Sequence, residues 1–250
     1  MLDYDKEADA YDSTRGGEPR ATAAAEAVLS LVPENTRTLL DVVCGTGIVT
    51  RRLAAGRAGL RVTGVDAAYG MARMAATRMP GTVALADSRR LPFPEGEFDA
   101  VTSVWLLHLV DGPEDARAIV AECARVLRPG GVYVTTVDKT AAHDVGSDID
   151  AVLAPRPRRH AQDQAERVAS YADEHGLLPA GRARFRGHGQ GRSPHSTMAD
   201  LRRGWFTQLT PDDPLTDHFI ARLETLPGQQ VPRTDPEFTL LAFRKPKSAG

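Results

Sequence analysis

The chain has 250 residues, 42% of them hydrophobic and 26% charged, with a formal net charge of -2. That length and balance describe a globular chain with one full core, and the near-neutral charge gives no case for a nucleic-acid partner. Two cysteines, Cys44 and Cys123, make no disulfide framework, and no apolar run approaches membrane-spanning length or forms a leader-like start. A cytoplasmic location with no membrane partner is the expectation, and the excess of arginine, alanine and glycine is compatible with a GC-rich bacterial genome.

In chain order, Met1 to Pro19 is polar, carries Tyr4-Asp5, Tyr11-Asp12 and Arg15-Gly16-Gly17, and is too weakly apolar for a core strand. Ala21 to Leu31 has helical spacing and stops at Pro33. Thr38 to Val43 is an apolar run closed by Cys44-Gly45-Thr46-Gly47 and followed by a helix-like Val49 to Ala55. This reads as a buried parallel strand feeding a loop and a helix N-terminus. Glycine there lets a ligand approach the main chain, and the helix start offers free N–H groups. Arg61 to Asp66 is a second strand ending in a carboxylate, nineteen positions past Gly47, a spacing that suits ribose hydroxyls at the end of a neighbouring strand.

Met71 to Met79 reads as a helix and Val83 to Asp87 as a short strand. After Leu91-Pro92-Phe93 and an acidic turn, Phe98-Asp99 leads into a fourth strand that delivers Ser103, Trp105 and His108 near its C-terminal end. Glu114 to Leu127 is a periodic helix, Arg128-Pro129-Gly130-Gly131 a turn, and Val132 to Val137 a fifth strand. Repeated strand, turn and helix from 38 to 137 describes a doubly wound, mostly parallel α/β sheet.

Beyond it, 139 to 159 reads as a mobile connection holding a short helix at Asp148 to Leu153, with a basic cluster at Arg156, Arg158, Arg159 and His160 read as solvated surface. Gln162 to His175 is a helix, Arg182 to His188 a sixth strand, and Thr197 to Asp200 the cap of a helix running toward Trp205 and Leu209. Asp213 to Leu226 is an amphipathic helix, Glu237 to Arg244 the last strand, and the polar tail from Lys245 is expected to be disordered.

The glycines Gly45 and Gly47, followed by Ile48, Val49 and Thr50, do not make the Gly-x-Gly-x-x-Gly of dinucleotide binders. Instead Asp41-x-Val43-x-Gly45-x-Gly47 resembles the Asp-x-Gly-x-Gly-x-Gly turn of class I, Rossmann-like methyltransferases dependent on S-adenosylmethionine (SAM), small-molecule type. Val43 replaces the first glycine, and a negative φ is expected there because a β-branched residue takes a positive one only at a cost. The run from Asp87 through Leu91-Pro92-Phe93 to Phe98-Asp99, and Leu127-Arg128-Pro129-Gly130-Gly131, also match the family.

The resemblance covers roughly the first 140 residues. It implies a seven-stranded sheet whose last strand is antiparallel and lies between strands five and six. It also implies SAM as cofactor, S-adenosylhomocysteine as product, and an N-terminal lid contacting the cofactor through Tyr11 and Arg15. Cofactor contacts are expected from Asp41, Val43, Cys44, Gly45, Gly47, Asp66, Ala67, Met71 against adenine, Asp87 on the adenine amino group, Ser88 and Ser103. One domain is expected: lid and first helix over 1–35, SAM-binding core over 36–138, acceptor-binding cap over 139–235, last strand over 236–244 and tail over 245–250.

An activated methyl donor needs alignment and desolvation more than acid–base help. Candidate catalytic residues are His143 and His108, after strands five and four, and Asp138, as base or hydrogen-bond anchor, with capping of the next turn the alternative. Trp205 and Phe206 are candidate walls of an acceptor pocket. The seven histidines show no metal-ligand spacing, and neither a Gly-x-Ser-x-Gly elbow nor a phosphate loop occurs. Ser103-Val104-Trp105-Leu106 stands where base-amine methyltransferases carry Asn/Asp-Pro-Pro-Tyr/Phe. The expected function is methyl transfer to a small-molecule acceptor, a hydroxyl of a bacterial natural product first, in a possible homodimer. The alternatives are a SAM-binding cyclase or regulator and a nucleotide-cofactor oxidoreductase, the latter disfavoured by the glycine spacing.

Overall fold

Every residue of Thr38–Val42 (β1) is buried, as expected of a parallel strand covered on both faces. The computed structural model, which describes residues 4–157, 160–204 and 209–247, places β1 third in a seven-stranded sheet, beside the central strand. Ahead of β1 come Tyr4–Thr14 (α1) and Gly17–Leu31 (α2). After it the chain alternates through Ile48–Gly56 (α3), Arg61–Asp66 (β2), Tyr69–Arg78 (α4), Val83–Leu85 (β3) and Phe98–Ser103 (β4). A 3-10 turn at Leu107–Leu109 then leads to Pro113–Val126 (α5) and Leu127–Val137 (β5).

The remaining elements are Lys139–Ala142 (α6), Asp148–Leu153 (α7), Ala165–Glu174 (α8), Leu178–Arg186 (β6), Pro194–Arg202 (α9), Pro214–Glu224 (α10) and Glu237–Arg244 (β7). The strand order is β3-β2-β1-β4-β5-β7-β6, with β7 antiparallel to both neighbours and every other pairing parallel. The order reverses between β1 and β4, and the crevice outside the C-terminal ends of those strands is where such sheets take ligands.

Side-chain alternation divides the core between the two faces. Leu40, Val42, Val101 and Tyr133 pack with Ile119, Cys123 and Tyr171 of α5 and α8. Leu39, Ala100, Val132 and Leu240 pack with Ala21, Ala24 and Val28 of α2 and Leu53 of α3. Small alanines on α2 let that helix lie close to the sheet. A third cluster joins α7, α9 and α10 through Leu153, Leu201 and Phe219, while α8 and β6 pack into the two main clusters through Tyr171 and Phe185.

The run from Asp87 to Asp99 is held by polar contacts at its end. Asp99 accepts the Arg37 and Thr38 N–H groups at 2.9 and 3.0 Å, satisfying donors at the entry to β1. Arg125 donates to the Phe93 and Leu91 carbonyls.

Three local expectations are corrected. The helix toward 205 is capped by a Ser193–Ser196 capping box with Pro194 in its first turn, not by Thr197, whose hydroxyl donates to the Ser193 carbonyl at 2.7 Å. Lys245 is fixed: its ammonium donates to the Ala124 and Leu127 carbonyls at 2.8 and 2.9 Å. The connection after β5 opens with a helix that was not expected, α6, ahead of the expected α7, which carries its own capping box from Ser147 and Asp150. Arg158, Arg159, Trp205 and Phe206 lie outside the described residues.

Candidate active site

The turn after β1 is fixed from the neighbouring strand. Cys44 donates its N–H to the Val65 carbonyl at 2.8 Å, and Gly45 donates to the Asp66 carboxylate at 2.8 Å. Continuing the ladder past Val42 forces the intervening residue over, and Val43 takes φ +64°. The expected negative φ is therefore overturned: the position keeps the left-handed conformation that glycine would adopt freely, at a cost of about 1–3 kcal/mol. Gly45, at φ +56°, has no atom within 4 Å of where a Cβ would stand, so its outer face is open. Gly47 is closed instead, because a Cβ there would lie 3.0 Å from Ala75.

Asp41 and Ser103 do not reach that open face. The Asp41 carboxylate is buried and accepts the Thr50 hydroxyl at 2.6 Å, tying β1 to α3. Burial pushes its pKa up to about 7, against the Thr50 hydrogen bond that lowers it. Ser103 is fully buried against Tyr133 and Thr135, at 2.7 and 2.9 Å. Both were expected at the cofactor, and in each the pleat turns the side chain into a packed layer. The Cys44 side chain is likewise buried, against Gly64, where a Cβ would meet its sulfur at 2.9 Å.

Asp66 ends β2 with its carboxylate held by backbone donors, Gly45 on one oxygen and Ala68 at 2.9 Å on the other. Burial raises its pKa, and the N–H groups of Ala68, Gly45 and Ala67 oppose the shift. Ala67 is exposed beside it, and Met71 is buried one turn into α4. Asp87 lies on the same edge one strand over, since Ala86 donates to the Asp66 carbonyl at 2.9 Å. Its carboxylate, however, is exposed and gripped by Arg89, Nη2 at 2.8 Å, while Ser88 is half-buried next to it.

Helix α1 lies across this patch. Asp5 accepts the Gly70 N–H at 2.6 Å, and Asp12 accepts the Thr46 hydroxyl and pairs with Arg78, both at 2.7 Å. Tyr11 stands 6.3 Å from Tyr4 and 6.0 Å from the Arg20 guanidinium, and the Arg15 carbonyl accepts from Gln190. The polar N-terminal stretch is thus a docked helix over the β1 turn.

At the ends of β4 and β5 the backbone is again left-handed without glycine, at Trp105 (φ +61°) and Asp138 (φ +53°). Such conformations persist where the surroundings over-determine them. Trp105 donates its N–H to Thr136, and its ring packs edge-on to Phe185 and Phe238, each 5.7 Å away. Arg20 lies over the other side of the indole at 4.2 Å. This aromatic cluster is part of the core and joins positions distant in sequence, and only the odd Trp at a strand end hinted at it.

Asp138 accepts the Ala165 N–H at 3.2 Å, anchoring the start of α8, and its side chain makes no cap to α6, the helix that directly follows it. His108 lies half-buried on the 3-10 turn after β4. His143 ends α6, edge-on to Phe238 at 5.5 Å, and its carbonyl accepts from Arg192 at 2.7 Å. Burial, then the charges of Lys139, Arg192, Arg15 and Arg156, hold its imidazole well below pH 6.5 and therefore neutral at pH 7. Lys139, which the sequence reading passed over, is pushed down to about 8 by burial and by Arg15, Arg20 and Arg192, against Asp163. A groove of about 550 Å³ lies at the opposite edge, at the starts of β1, β2 and β4, and is separate from all of these residues. Among the described residues no cluster of His, Cys, Asp and Glu could hold a metal, and no helix is long and apolar enough to cross a membrane.

Residues 40–135 match the family model described as a methyltransferase domain. The chain is 33% identical over 136 residues to the ubiquinone biosynthesis O-methyltransferase of Xanthomonas oryzae pv. oryzae, a match spanning 50% of this chain and 55% of that protein. The chain therefore spans about half the length of the curated relatives it matches. Its fold is similar to that of the [4+2]-cyclase SpnF, with TM-score 0.64 and 21% identity over 98% of this chain and 94% of the other. It is also similar to that of geranyl diphosphate C-methyltransferase from Streptomyces coelicolor A3(2), with TM-score 0.53 and 17% identity over 90% and 76%. Both likenesses concern the fold.

Proposed function

We propose, from the premise that this chain belongs to the class I, Rossmann-like SAM-dependent methyltransferase family, that it transfers a methyl group from SAM to a small-molecule acceptor, a hydroxyl of a bacterial natural product in the first instance. The observation that carries this reading is the run of left-handed, non-glycine residues Val43, Trp105 and Asp138 at the ends of three adjacent strands, on the edge that also presents Asp66 and the open face of Gly45.

The residues present fit an adenosyl ligand. The open main chain at Gly45 admits close approach, the Asp66 carboxylate has lone pairs left for sugar hydroxyls, and Met71, Ser88 and Asp87 would hold the adenine side, Asp87 accepting from the ring amine in place of Arg89. When bound, SAM supplies an activated methyl group, so displacement needs no oxidant or metal. What the chain contributes is alignment and exclusion of water: α1 covers the turn from above, and Trp105, Phe185 and Phe238 form a dry wall on the acceptor side. His143, neutral at pH 7, takes the hydroxyl proton onto a ring nitrogen as the oxygen gains its methyl. His108 and Asp138 position the strand ends around it.

A second reading, a SAM-binding cyclase or regulator of this fold, is favoured by Val43 in the first motif-glycine position and by the likeness to a cyclase. Calorimetry with S-adenosylhomocysteine and NAD tests the cofactor: binding of the former alone is expected, and binding of NAD alone refutes the reading. Labelled SAM with hydroxylated acceptors then separates the two readings, since a cyclase or regulator binds SAM and leaves its methyl in place.

A further inference from the structure

Resting on the methyltransferase reading, we propose that the acceptor is a carboxylic acid, its carboxylate held by Lys139 and Arg20 beside the face of Trp105. The corner is rich in donors. Arg20 is 4% exposed, its guanidinium lies 4.2 Å over the indole, and its Nε has no hydrogen-bond partner; the Trp105 Nε1 is buried and unpartnered as well. Lys139 follows β5, whose Thr136 fixes the Trp105 N–H, and among the described residues its ammonium makes no hydrogen bond or ion pair. A buried donor without an acceptor costs about 1–3 kcal/mol, and two such groups, Arg20 Nε and Trp105 Nε1, meet where the indole lies under the guanidinium, with the half-buried Lys139 in electrostatic range, so the corner calls for an oxygen-rich ligand.

The surrounding charges favour a monoanion. Arg15 and Arg192 lie within electrostatic range of Lys139, as do Arg20 and the opposing Asp163. Arg192 is already paired with Asp150 at 2.8 Å, and Asp200 faces Arg15, Arg192 and Arg203. With acids interspersed in this way, Lys139 and Arg20 suit one carboxylate better than a doubly charged phosphate. The place matches the acceptor side of the sheet, because β5 is separated from β1 and its glycine turn by β4.

The test uses the full chain saturated with S-adenosylhomocysteine, titrated at pH 7 with acetate, benzoate and 4-hydroxybenzoate, each against its neutral amide, and with inorganic phosphate. At least one carboxylate is expected to bind tenfold or more tightly than its amide. K139M should remove that preference and K139R restore it, with the affinity for S-adenosylhomocysteine within twofold of wild type in both. Raising the pH from 7 to 9.5 should weaken the carboxylate, because Lys139 loses its proton near 8. Equal binding of every acid and amide, including no binding of either, overturns the proposal, as does phosphate outbinding all carboxylates. Loss of S-adenosylhomocysteine binding in K139M assigns the cations to the cofactor and overturns it too. Failure of wild type to bind S-adenosylhomocysteine refutes the parent reading, and this proposal falls with it; a bound cofactor product with indifferent acids refutes this proposal alone.

Discussion

The Asp66 carboxylate accepts the Gly45 N–H at 2.8 Å, joining the end of one strand to the turn that leaves its neighbour. One buried side chain thereby shapes the turn. We expect Asp66→Ala to weaken S-adenosylhomocysteine binding by about 1–3 kcal/mol through lost sugar hydrogen bonds, and to lower Tm because the Gly45 and Ala68 N–H groups lose their acceptor. Calorimetry and thermal unfolding read the two effects separately, and an unchanged affinity removes Asp66 from the pocket.

The left-handed Val43 predicts an order of stabilities. Alanine and glycine at this position lose the same packing, but only glycine reaches φ near +60° without a Cβ clash. V43G should be more stable than V43A by about 1 kcal/mol in denaturant unfolding. The reverse order, usual for a helix or strand position, means the turn relaxes to negative φ in solution.

Asp41 makes stability depend on pH. Its folded pKa of about 7 lies above its unfolded value of 3.8, so between these values the folded state holds the extra proton and stability falls as pH rises, the full penalty applying above 7. Asp41→Asn keeps an acceptor for Thr50 but buries a new amide donor. We expect it to be more stable than wild type by about 1–3 kcal/mol at pH 8 and to lose that advantage at pH 4. A gain that does not vary with pH means Asp41 titrates normally.

Asp12 fastens α1 across the turn by the Thr46 hydroxyl and Arg78. In D12A the amides of 4–14 should exchange with solvent at least tenfold faster while those of β1 and β4 keep their protection. Equal loss at both places makes α1 part of the cooperative core, and no loss at either makes these contacts incidental.

The sequence alone determined the central strands. β2, α7 and β7 fall on the expected residues and β1 differs by one, because buried apolar runs and strict alternation are local signals that packing did not override, whereas β6 begins at Leu178 rather than Arg182 and β3 stops at Leu85. Asp66 and Gly45 were legible for the same reason: strand-end position follows from local pattern, and strand ends share an edge in a parallel sheet.

Only the tertiary structure decided what is not local. The φ of Val43 is dictated by the Cys44 bond to β2, the Asp41 carboxylate by Thr50 of α3, and the Arg89 that grips Asp87 by Asp115 of α5. The corner of Arg20, Trp105 and Lys139 is assembled from α2 and the ends of β4 and β5. No pattern along the chain encodes it, because burial and charge proximity come into being only when the separated segments close on one another.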